Sequence, residues 1–527
     1  MSSRVWHLYP LLFALVPILN FAANNPAQYG WGDLGLTVAI AVASCGAAYA
    51  IVALALRRRA PDALAPFAVL LAVGWSYGYN LLAARLFGHA ARPQHALLIS
   101  AGLAVSLALL LWLRRREALL AGLGRFLTLM SALLVAWSSL QIASGWLRGR
   151  RAIERSELAA ELARPIPGPA AAVREPRRDI YLIVLDEYAN AEVLRERFGY
   201  DNRPFEDSLR ALGFHVPRLV RSNYTHTLLS LPSLLNAAHL VGLERELGAK
   251  TKHPALPNYL LEHNRVAPFL ERRGYRYLFF PSQWWFSTSG SAVADSEFHP
   301  WTGFDLSRSL TDGELQRTVR GASVLRYLHR DHRWEAGHVR RTLRGVAAMP
   351  RSGGPIFAFA HIIKPHSPYV FDRDCNTLRR GPEDDDVGPY LEQLECLNRM
   401  LLATVHRILE RSAVPPIILL QGDHGTSLLG ATGYPDPAMV PPAAARERFG
   451  AFGAYYLPDG GAAAFGDTVT VVNVMGNVLR YYFGADLPRA GDEQYISPAD
   501  FPYDFRRVDA RWLAGEDSAR PALRAGR

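Results

Sequence analysis

The sequence contains little cysteine and little charge, and each shortage excludes a class of protein. Three cysteines in 527 residues are too few for a fold held by a framework of disulfides. Charged residues make up 20% of the chain and hydrophobic residues 50%, a composition too apolar for a disordered protein. The length also exceeds that of one ordinary domain. We therefore expect a folded protein with more than one domain.

Basic residues are unevenly distributed along the chain. Residues 1–178 hold 18 arginines and 7 acidic residues, a net charge of +11, whereas the other 349 residues hold 40 basic and 41 acidic residues, a net charge of −1. The second part has no overall positive charge to attract a polyanion, so we expect no nucleic-acid partner.

Long apolar stretches are concentrated in the first 147 residues. A helix needs about 20 residues to cross the hydrocarbon core of a bilayer. The first stretch is short and contains Pro10 and Pro17, so it could also be taken for a signal peptide. The pattern predicts a transmembrane domain of five helices over residues 1–147. The five stretches cover residues 6–23, 35–56, 64–84, 96–113 and 126–147.

The arginines between the apolar stretches indicate an orientation. Clusters lie at 57–59 and within 114–125, whereas the loop after the first stretch has no basic residue and the loop after the third has only Arg85 and Arg92. The positive-inside rule then predicts a cytoplasmic N-terminus. Five crossings would place everything after residue 147 outside the cytoplasm, although the arginines at 148–151 oppose this orientation.

The rest of the chain reads as a linker, an α/β domain and a tail, with boundaries at 148–178, 179–510 and 511–527. The linker is rich in proline, and the domain alternates apolar strands with helices. This alternation predicts a mostly parallel central sheet covered by helices on both faces. The predicted strands are 179–185, 275–280, 355–363, 416–420 and 451–457, and the predicted helices are 190–212, 389–411 and 470–483.

Two predicted strands end in potential metal ligands. Asp186 and Glu187 follow the first strand, and Asp423 and His424 follow the strand at 416–420. Ligands bind beyond the carboxyl ends of the strands in such sheets, and carboxylates with a neutral imidazole suit zinc or manganese. Two other interpretations remain open: Asp186 could cap a helix, and the Asp423–His424 pair could form a salt bridge in a loop.

A hydroxyl-rich segment between these strands leads into an apolar helix. It spans 222–236 and includes Thr225, Thr227 and Ser230. The start of a helix suits an anionic substrate, and a hydroxyl beside a dication is easily deprotonated into a nucleophile. Simple helix capping by one of these hydroxyls is the alternative. The spacing alone does not select the reactive hydroxyl.

Together these segments resemble the alkaline phosphatase/sulfatase superfamily. The membrane-anchored branch, which comprises lipoteichoic acid synthases and lipid A phosphoethanolamine transferases, fits best, because those proteins also join five membrane spans to one exported α/β domain. The architecture is similar over essentially the whole chain, and the motifs are similar over about 179–236 and 355–460. The resemblance implies a sulfatase-like exported domain anchored in the inner membrane of a bacterium.

The resemblance also implies roles for individual residues. Asp186 would bind one divalent metal ion, zinc or manganese, together with Asp423 and His424, and Glu187 is a weaker candidate. The run from Thr227 to Pro232 matches a Thr-x-x-Ser-x-Pro motif whose threonine is the nucleophile and a metal ligand. His366-Ser367-Pro368-Tyr369 matches a His-x-Pro-aromatic segment, in which the histidine contacts the phosphoryl group or the leaving group.

Two departures from the family pattern bear on the reaction. The segment after Ser230 lacks the arginine of the formylglycine motif and contains no cysteine, which argues against an ordinary sulfatase. No histidine follows His424, so a second metal ion or a further substrate contact of the family has no ligand there. Whether Cys375 and Cys396 are bridged stays open at this point.

These observations lead to one expected function and two alternatives. We expect a transferase that moves a phosphoglycerol or phosphoethanolamine group from a membrane lipid donor to a glycan or lipid acceptor of the cell envelope through a phospho-threonine. The first alternative is a sulfatase-like hydrolase of phosphate or sulfate esters. The second is a catalytically idle membrane scaffold. Weaker site candidates are His226, His361, Lys364 and the segment 283–285.

Overall fold

The computed structural model describes most of the chain as two compact units. Residues 1–148 and 303–330 form the first unit, and residues 149–302 and 331–527 form the second. The predicted tail at 511–527 and the segment 283–285 lie outside the described residues. The described residues are 7–26, 29–57, 61–87, 92–168, 175–282, 290–298, 314–324, 332–349, 353–378, 386–428, 430, 434 and 436–508.

The first unit contains five helices at the positions of the five apolar stretches. Among the described residues, four helices are long and apolar enough to cross a membrane: α2, α3, α5 and the part of α4 from Gln94 to Leu113. Helix α1 has 16 residues, about 24 Å at 1.5 Å per residue, and is short for a bilayer. The predicted fifth crossing is therefore not confirmed. The helices are α1 (Tyr9–Asn24), α2 (Trp31–Leu56), α3 (Leu64–Phe87), α4 (Arg92–Leu113) and α5 (Glu117–Arg155).

A short amphipathic helix from the second half of the sequence also belongs to the first unit. Its buried Leu315 packs in one cluster with Ile18 and Leu34. The Asn80 side-chain amide donates to the carbonyls of Gly321 and Ser323 at 3.1 and 2.9 Å. The sequence pattern predicts this segment as part of the α/β domain at 179–510, because nine residues of mixed polarity give no membrane signal. This helix, α13, spans Glu314–Ala322.

The second unit is built on a mostly parallel sheet, as predicted. Its strand order is β4-β3-β5-β1-β6-β7, so β1 lies inside the sheet, and among the described strands of this sheet only β7 runs antiparallel to its neighbour. Two further two-stranded sheets pair β2 with β8 and β9 with β10. The strands are β1 (Ile180–Leu185), β2 (Leu219–Arg221), β3 (Arg276–Phe280), β4 (Ser296–Glu297), β5 (Ile356–Ile362), β6 (Ile417–Gly422), β7 (Gly453–Tyr456), β8 (Thr468–Thr470), β9 (Gln494–Ile496) and β10 (Arg506–Val508).

Helices cover both faces of the sheet, which explains the uninterrupted apolar run of β1. All six β1 residues are buried, and they alternate between two separate hydrophobic clusters, one on each face. The helices of this unit, with α6 following the end of α5, are α6 (Glu157–Leu162), α7 (Ala191–Phe198), α8 (Arg203–Ala211), α9 (Thr227–Asn236), α10 (Gly242–Leu247), α11 (Ala255–Glu262), α12 (Val266–Glu271), α14 (Arg333–Ala347), α15 (Val387–Arg411), α16 (Pro442–Phe449) and α17 (Asn473–Phe483).

Much of the predicted linker is helical. Helix α5 continues to Arg155, and the Ser156 side chain caps α6 by accepting a hydrogen bond from the Ala159 N–H at 2.9 Å. Leu162 packs into a buried cluster of the second unit. Cys375 and Cys396 in the second unit form a disulfide, with 5.0 Å between their Cα atoms.

Candidate metal and nucleophile site

The two predicted ligand segments leave the sheet side by side. Strands β1 and β6 are parallel neighbours, and Leu185 pairs with Gly422 at their carboxyl ends. A Cβ at Gly422 would lie 2.6 Å from the Tyr188 carbonyl oxygen, and one at Gly425 would lie 1.9 Å from the Glu447 carbonyl oxygen. Only glycine fits these positions, so the chain after β6 can turn tightly against its neighbours.

Three candidate ligands converge at this edge of the sheet. One ligand atom from each of Asp186, Asp423 and His424 lies within 4.8 Å of the others. All three side chains are buried. Residues more than two hundred positions apart in the sequence are thus brought to one point, close enough for a single ion to be shared.

The two aspartates lack partners for most of their side-chain oxygens. Asp423 Oδ1 accepts hydrogen bonds from the backbone N–H groups of Glu187 and His424 at 3.1 and 2.8 Å. Asp423 Oδ2 and both Asp186 oxygens have no hydrogen-bond partner among the described residues. Unpartnered buried carboxylate oxygens are unfavourable unless a cation faces them.

Burial and a neighbouring carboxylate raise the pKa of both aspartates. Burial, reinforced by the charge of Glu187, raises the pKa of Asp186 to about 8. Burial and the charge of Asp186 raise the pKa of Asp423 well above its ordinary value. A divalent cation between the two carboxylates would offset both effects.

The hydrogen bond of His424 presents its other ring nitrogen to the cluster. Its Nδ1–H donates to the Gly425 carbonyl at 3.0 Å, which assigns the lone pair to Nε2. Nε2 lies 3.1 Å from Asp423 Oδ2. Burial, reinforced by the Arg448 charge, lowers the pKa of His424 well below its ordinary value, so the ring is neutral. A neutral imidazole fixed through its Nδ1 is the form that binds metal ions.

Thr227 is the hydroxyl that the structure brings to this cluster. It is the first residue of α9, and its Oγ1 lies 3.0 Å from His424 Nε2. The other two candidates are placed differently: Ser230 Oγ shares a hydrogen bond with Ser222 Oγ at 3.1 Å, and the Thr225 hydroxyl is buried with no partner among the described residues. The helix dipole directs partial positive charge toward Thr227.

The donor set fits a zinc or manganese ion. Two carboxylates and one imidazole nitrogen are ligands that both metals accept, and a hydroxyl can complete a four-coordinate site. The residues that would hold the ion are Asp186, Asp423 and His424, with Thr227 as the fourth ligand.

Glu187 faces away from this ligand set. Its carboxylate forms a buried ion pair with Arg448 Nη1 and accepts a 3.5 Å hydrogen bond from Ser427 Oγ. Its backbone has a φ of 59°, in the left-handed region. Burial alone would raise the pKa of Glu187, but His366 and Arg448 lower it below its ordinary value, so the group is ionised.

Arg448 is the residue of the site that the sequence analysis missed. It lies in α16 and is buried. Besides Glu187 it contacts the Thr225 carbonyl through Nε at 2.7 Å and the Gly425 carbonyl through Nη1 at 2.9 Å. Its Nη2 lies 3.5 Å from His424 Nε2. No sequence motif marks it, because only the packing of α16 brings it to the sheet edge.

The backbone of His366 contacts the ligand cluster. Its N–H donates to the Asp186 carbonyl at 3.2 Å, and its ring Nδ1–H donates to the Ser367 carbonyl at 2.5 Å. The ring is half-buried. Lys364 supports this segment by donating to the carbonyls of His366 and Pro368 at 3.2 and 2.9 Å. These contacts hold the ring at the edge of the site.

The two weaker histidine candidates are both neutral. His361 Nε2 lies 3.8 Å from Asp186 Oδ2, and burial, with the charge of His366, lowers its pKa to about 3. His226 donates from Nε2 to the Ser497 carbonyl at 3.1 Å, and burial, with the charge of Arg448, lowers its pKa to about 4. Such a low pKa makes His226 a weak general base at neutral pH.

Comparison with known proteins gives matches only among solved structures. No protein-family model matches the sequence. No curated protein matches it either. The chain is similar to the periplasmic domain of EptC from Escherichia coli in complex with Zn, at 10% identity and a TM-score of 0.39, over 64% of this chain and 94% of that one.

Two further solved structures are also similar to the chain. The integral membrane lipooligosaccharide phosphoethanolamine transferase EptA from Neisseria meningitidis matches at 14% identity and a TM-score of 0.37, over 91% of this chain and 95% of that one. An alkaline phosphatase superfamily protein from Vibrio parahaemolyticus matches at 11% identity and a TM-score of 0.36, over 63% and 76%. The chain is thus similar to phosphoethanolamine transferases and to a protein of the alkaline phosphatase superfamily.

Proposed function

We propose that the chain is a membrane-anchored, metal-dependent transferase. It moves a phosphoglycerol or phosphoethanolamine group from a lipid donor to a glycan or lipid acceptor of the cell envelope through a covalent phospho-threonine at Thr227. One observation carries this proposal: the Thr227 hydroxyl lies 3.0 Å from the His424 imidazole, beside aspartate oxygens that have no partner among the described residues. That arrangement combines a nucleophile with a place for a dication.

The residues of the site divide the reaction between them. A dication held by Asp186, Asp423 and His424 would make the Thr227 hydroxyl easier to deprotonate. The Thr227 hydroxyl releases its proton to water as its oxygen attacks the phosphorus of a phosphodiester, and the bond from phosphorus to the lipid oxygen breaks. His366 gives that leaving oxygen a proton, or stabilises its charge.

The second half of the reaction frees Thr227 again. A hydroxyl of the acceptor attacks the phosphorus of the phospho-threonine and loses its proton, and the bond between phosphorus and the Thr227 oxygen breaks. The threonine oxygen regains a proton, and the phospho-group leaves as a diester of the acceptor. The start of α9 stabilises the anionic group at Thr227 through its dipole in both halves.

The apolar helices support a lipid donor. Four helices among the described residues are long and apolar enough to cross a membrane. An anchored enzyme and a membrane lipid are confined to one surface, so their encounter needs no soluble intermediate. We place the protein in the inner membrane of a bacterium, with the second unit on the periplasmic or extracellular side.

A phospho-enzyme assay tests the proposal. The full chain, supplied with zinc or manganese, is incubated with vesicles that contain phosphatidylethanolamine and phosphatidylglycerol, and diacylglycerol release and the mass of the Thr227 peptide are measured. We expect a covalent adduct in the wild type, a reduced rate in Thr227→Ser and no adduct or turnover in Thr227→Ala. The control is Thr225→Ala, which removes the neighbouring hydroxyl and should leave the adduct in place.

Two outcomes would redirect the proposal. Full diacylglycerol release by a folded Thr227→Ala variant would refute the phospho-threonine. Release of the head-group phosphate to water at the same rate with and without an acceptor alcohol would favour the hydrolase. Parallel assays with a phosphomonoester and an aryl sulfate show which ester such a hydrolase prefers.

A further inference from the structure

We propose that Arg448 binds the phosphoryl oxygens of the group attached to Thr227, through the two N–H bonds of its Nη2. The inference deepens the proposed function and rests on it. It assigns to α16 an anion-binding group that the strand-end motifs do not contain.

Nη2 of Arg448 has no good hydrogen-bond acceptor among the described residues. A guanidinium has five N–H bonds. Nε donates to the Thr225 carbonyl, and Nη1 donates to both the Glu187 carboxylate and the Gly425 carbonyl. For Nη2, the one acceptor among the described residues is His424 Nε2, at a long 3.5 Å. Buried polar hydrogens rarely go without a good acceptor.

The unused end of Arg448 adjoins the nucleophile. His424 Nε2 lies 3.0 Å from Thr227 Oγ1 and 3.5 Å from Arg448 Nη2, so the hydroxyl and the guanidinium meet at the same ring nitrogen. If that nitrogen gave its lone pair to a metal ion, it could no longer accept a hydrogen bond from Nη2. Phosphoryl oxygens carried on the Thr227 oxygen would then be the acceptors within reach.

The remaining contacts hold the guanidinium in place. Its ion pair with Glu187 is buried on both sides, and Tyr390 fixes the Glu187 backbone by donating to its carbonyl at 2.9 Å. A group held in this way loses little freedom when it binds an oxyanion, which is how preorganised donors stabilise developing charge. Arginine also matches phosphate geometry with two parallel N–H bonds.

Lysine could not reproduce this arrangement. A single ammonium nitrogen can replace the Nη1 contacts with Glu187 and Gly425, but it has no second nitrogen to extend toward Thr227. The substitution Arg448→Lys therefore keeps the buried charge pair and removes the proposed phosphoryl contact. This separation of two roles makes the variant informative.

Binding of inorganic phosphate to the zinc-loaded full chain tests the inference by titration calorimetry. We expect Arg448→Lys to weaken phosphate binding by at least tenfold while zinc content and the melting temperature stay close to the wild type. The matched control is Arg446→Lys, two residues earlier on the same helix, which should bind phosphate as the wild type does. A second variant, Arg448→Gln with Glu187→Gln, replaces the ion pair by two amides and leaves no buried charge unpaired.

The possible results are distinct. Unchanged phosphate affinity in a folded, zinc-loaded Arg448→Lys or double variant would overturn the inference. Failure of both variants to fold would assign Arg448 to the fold alone and would overturn it as well. A wild-type chain that holds zinc but binds no phosphate would contradict the proposed function, whereas loss of phosphate binding in the variants alone supports both.

Discussion

The disulfide between Cys375 and Cys396 should be a large contributor to the stability of the second unit. The two residues are 21 positions apart, and closing a loop of that length in the unfolded chain is worth about 3 kcal/mol at 25 °C. The second unit spans about 350 residues, so 1 kcal/mol corresponds to roughly 1.4 °C in its melting temperature. We therefore expect the double variant Cys375→Ala/Cys396→Ala to melt about 4 °C lower than the oxidised wild type.

The same variant should lose activity more than it loses metal. The bridge ties α15 to the segment that carries His366, whereas Asp186, Asp423 and His424 lie on other segments. Loss of the bridge should loosen the His366 segment only in part, because Gln393 still donates to the His366 carbonyl at 3.1 Å. We expect a lower kcat with close to one metal ion per chain.

Dithiothreitol provides a matched control for this prediction. Reduction should lower the melting temperature of the wild type toward that of the double variant, and it should leave the double variant unchanged. Scanning fluorimetry in detergent, with and without the reductant, measures both. If the double variant melts within about 1 °C of the oxidised wild type, the loop-closure reasoning is refuted for this chain.

Three further predictions follow from single side chains. Asp423→Asn should lower bound metal to well below one ion per chain by elemental analysis, while the exposed control Asp207→Asn retains it. Burial and the charge of Glu297 raise the pKa of Glu262 to about 7, so the folded state binds the extra proton and stability falls as the pH rises from about 4.5 to 7. Glu262→Gln should therefore stabilise the chain by about 1–2 kcal/mol at pH 8, and by almost nothing at pH 4, in thermal melts. Gly425→Ala should remove metal binding, because its Cβ would lie 1.9 Å from a carbonyl oxygen.

The sequence predicts the sheet and its polar edge because both depend on local patterns. A continuous apolar run such as Ile180–Leu185 belongs to a strand buried on both faces, and β1 has this environment. Once two such strands are parallel neighbours, the residues after their carboxyl ends must lie close together. Asp186 and Asp423 could therefore be paired from the sequence without any coordinates.

Other features depend on tertiary packing and leave no local signal. Arg448 is one of 55 arginines in the chain, and only the placement of α16 distinguishes it. The Glu187 side chain points away from the metal ligands because it pairs with this same arginine. Helix α13 belongs to the first unit through contacts with residues distant in the sequence, such as Asn80, which no hydropathy pattern reveals.

The charges at the sheet edge favour a metal site over the two simpler interpretations of the aspartates. Asp186 caps no helix, because neither side-chain oxygen has a hydrogen-bond partner among the described residues. Among the described residues, Asp423 forms no ion pair with a charged partner, because the neighbouring His424 is neutral. Arg448 already pairs with Glu187, and Lys364 donates to two backbone carbonyls. Two buried carboxylates thus lack a cationic partner among the described residues, and a dication between them would balance their charge.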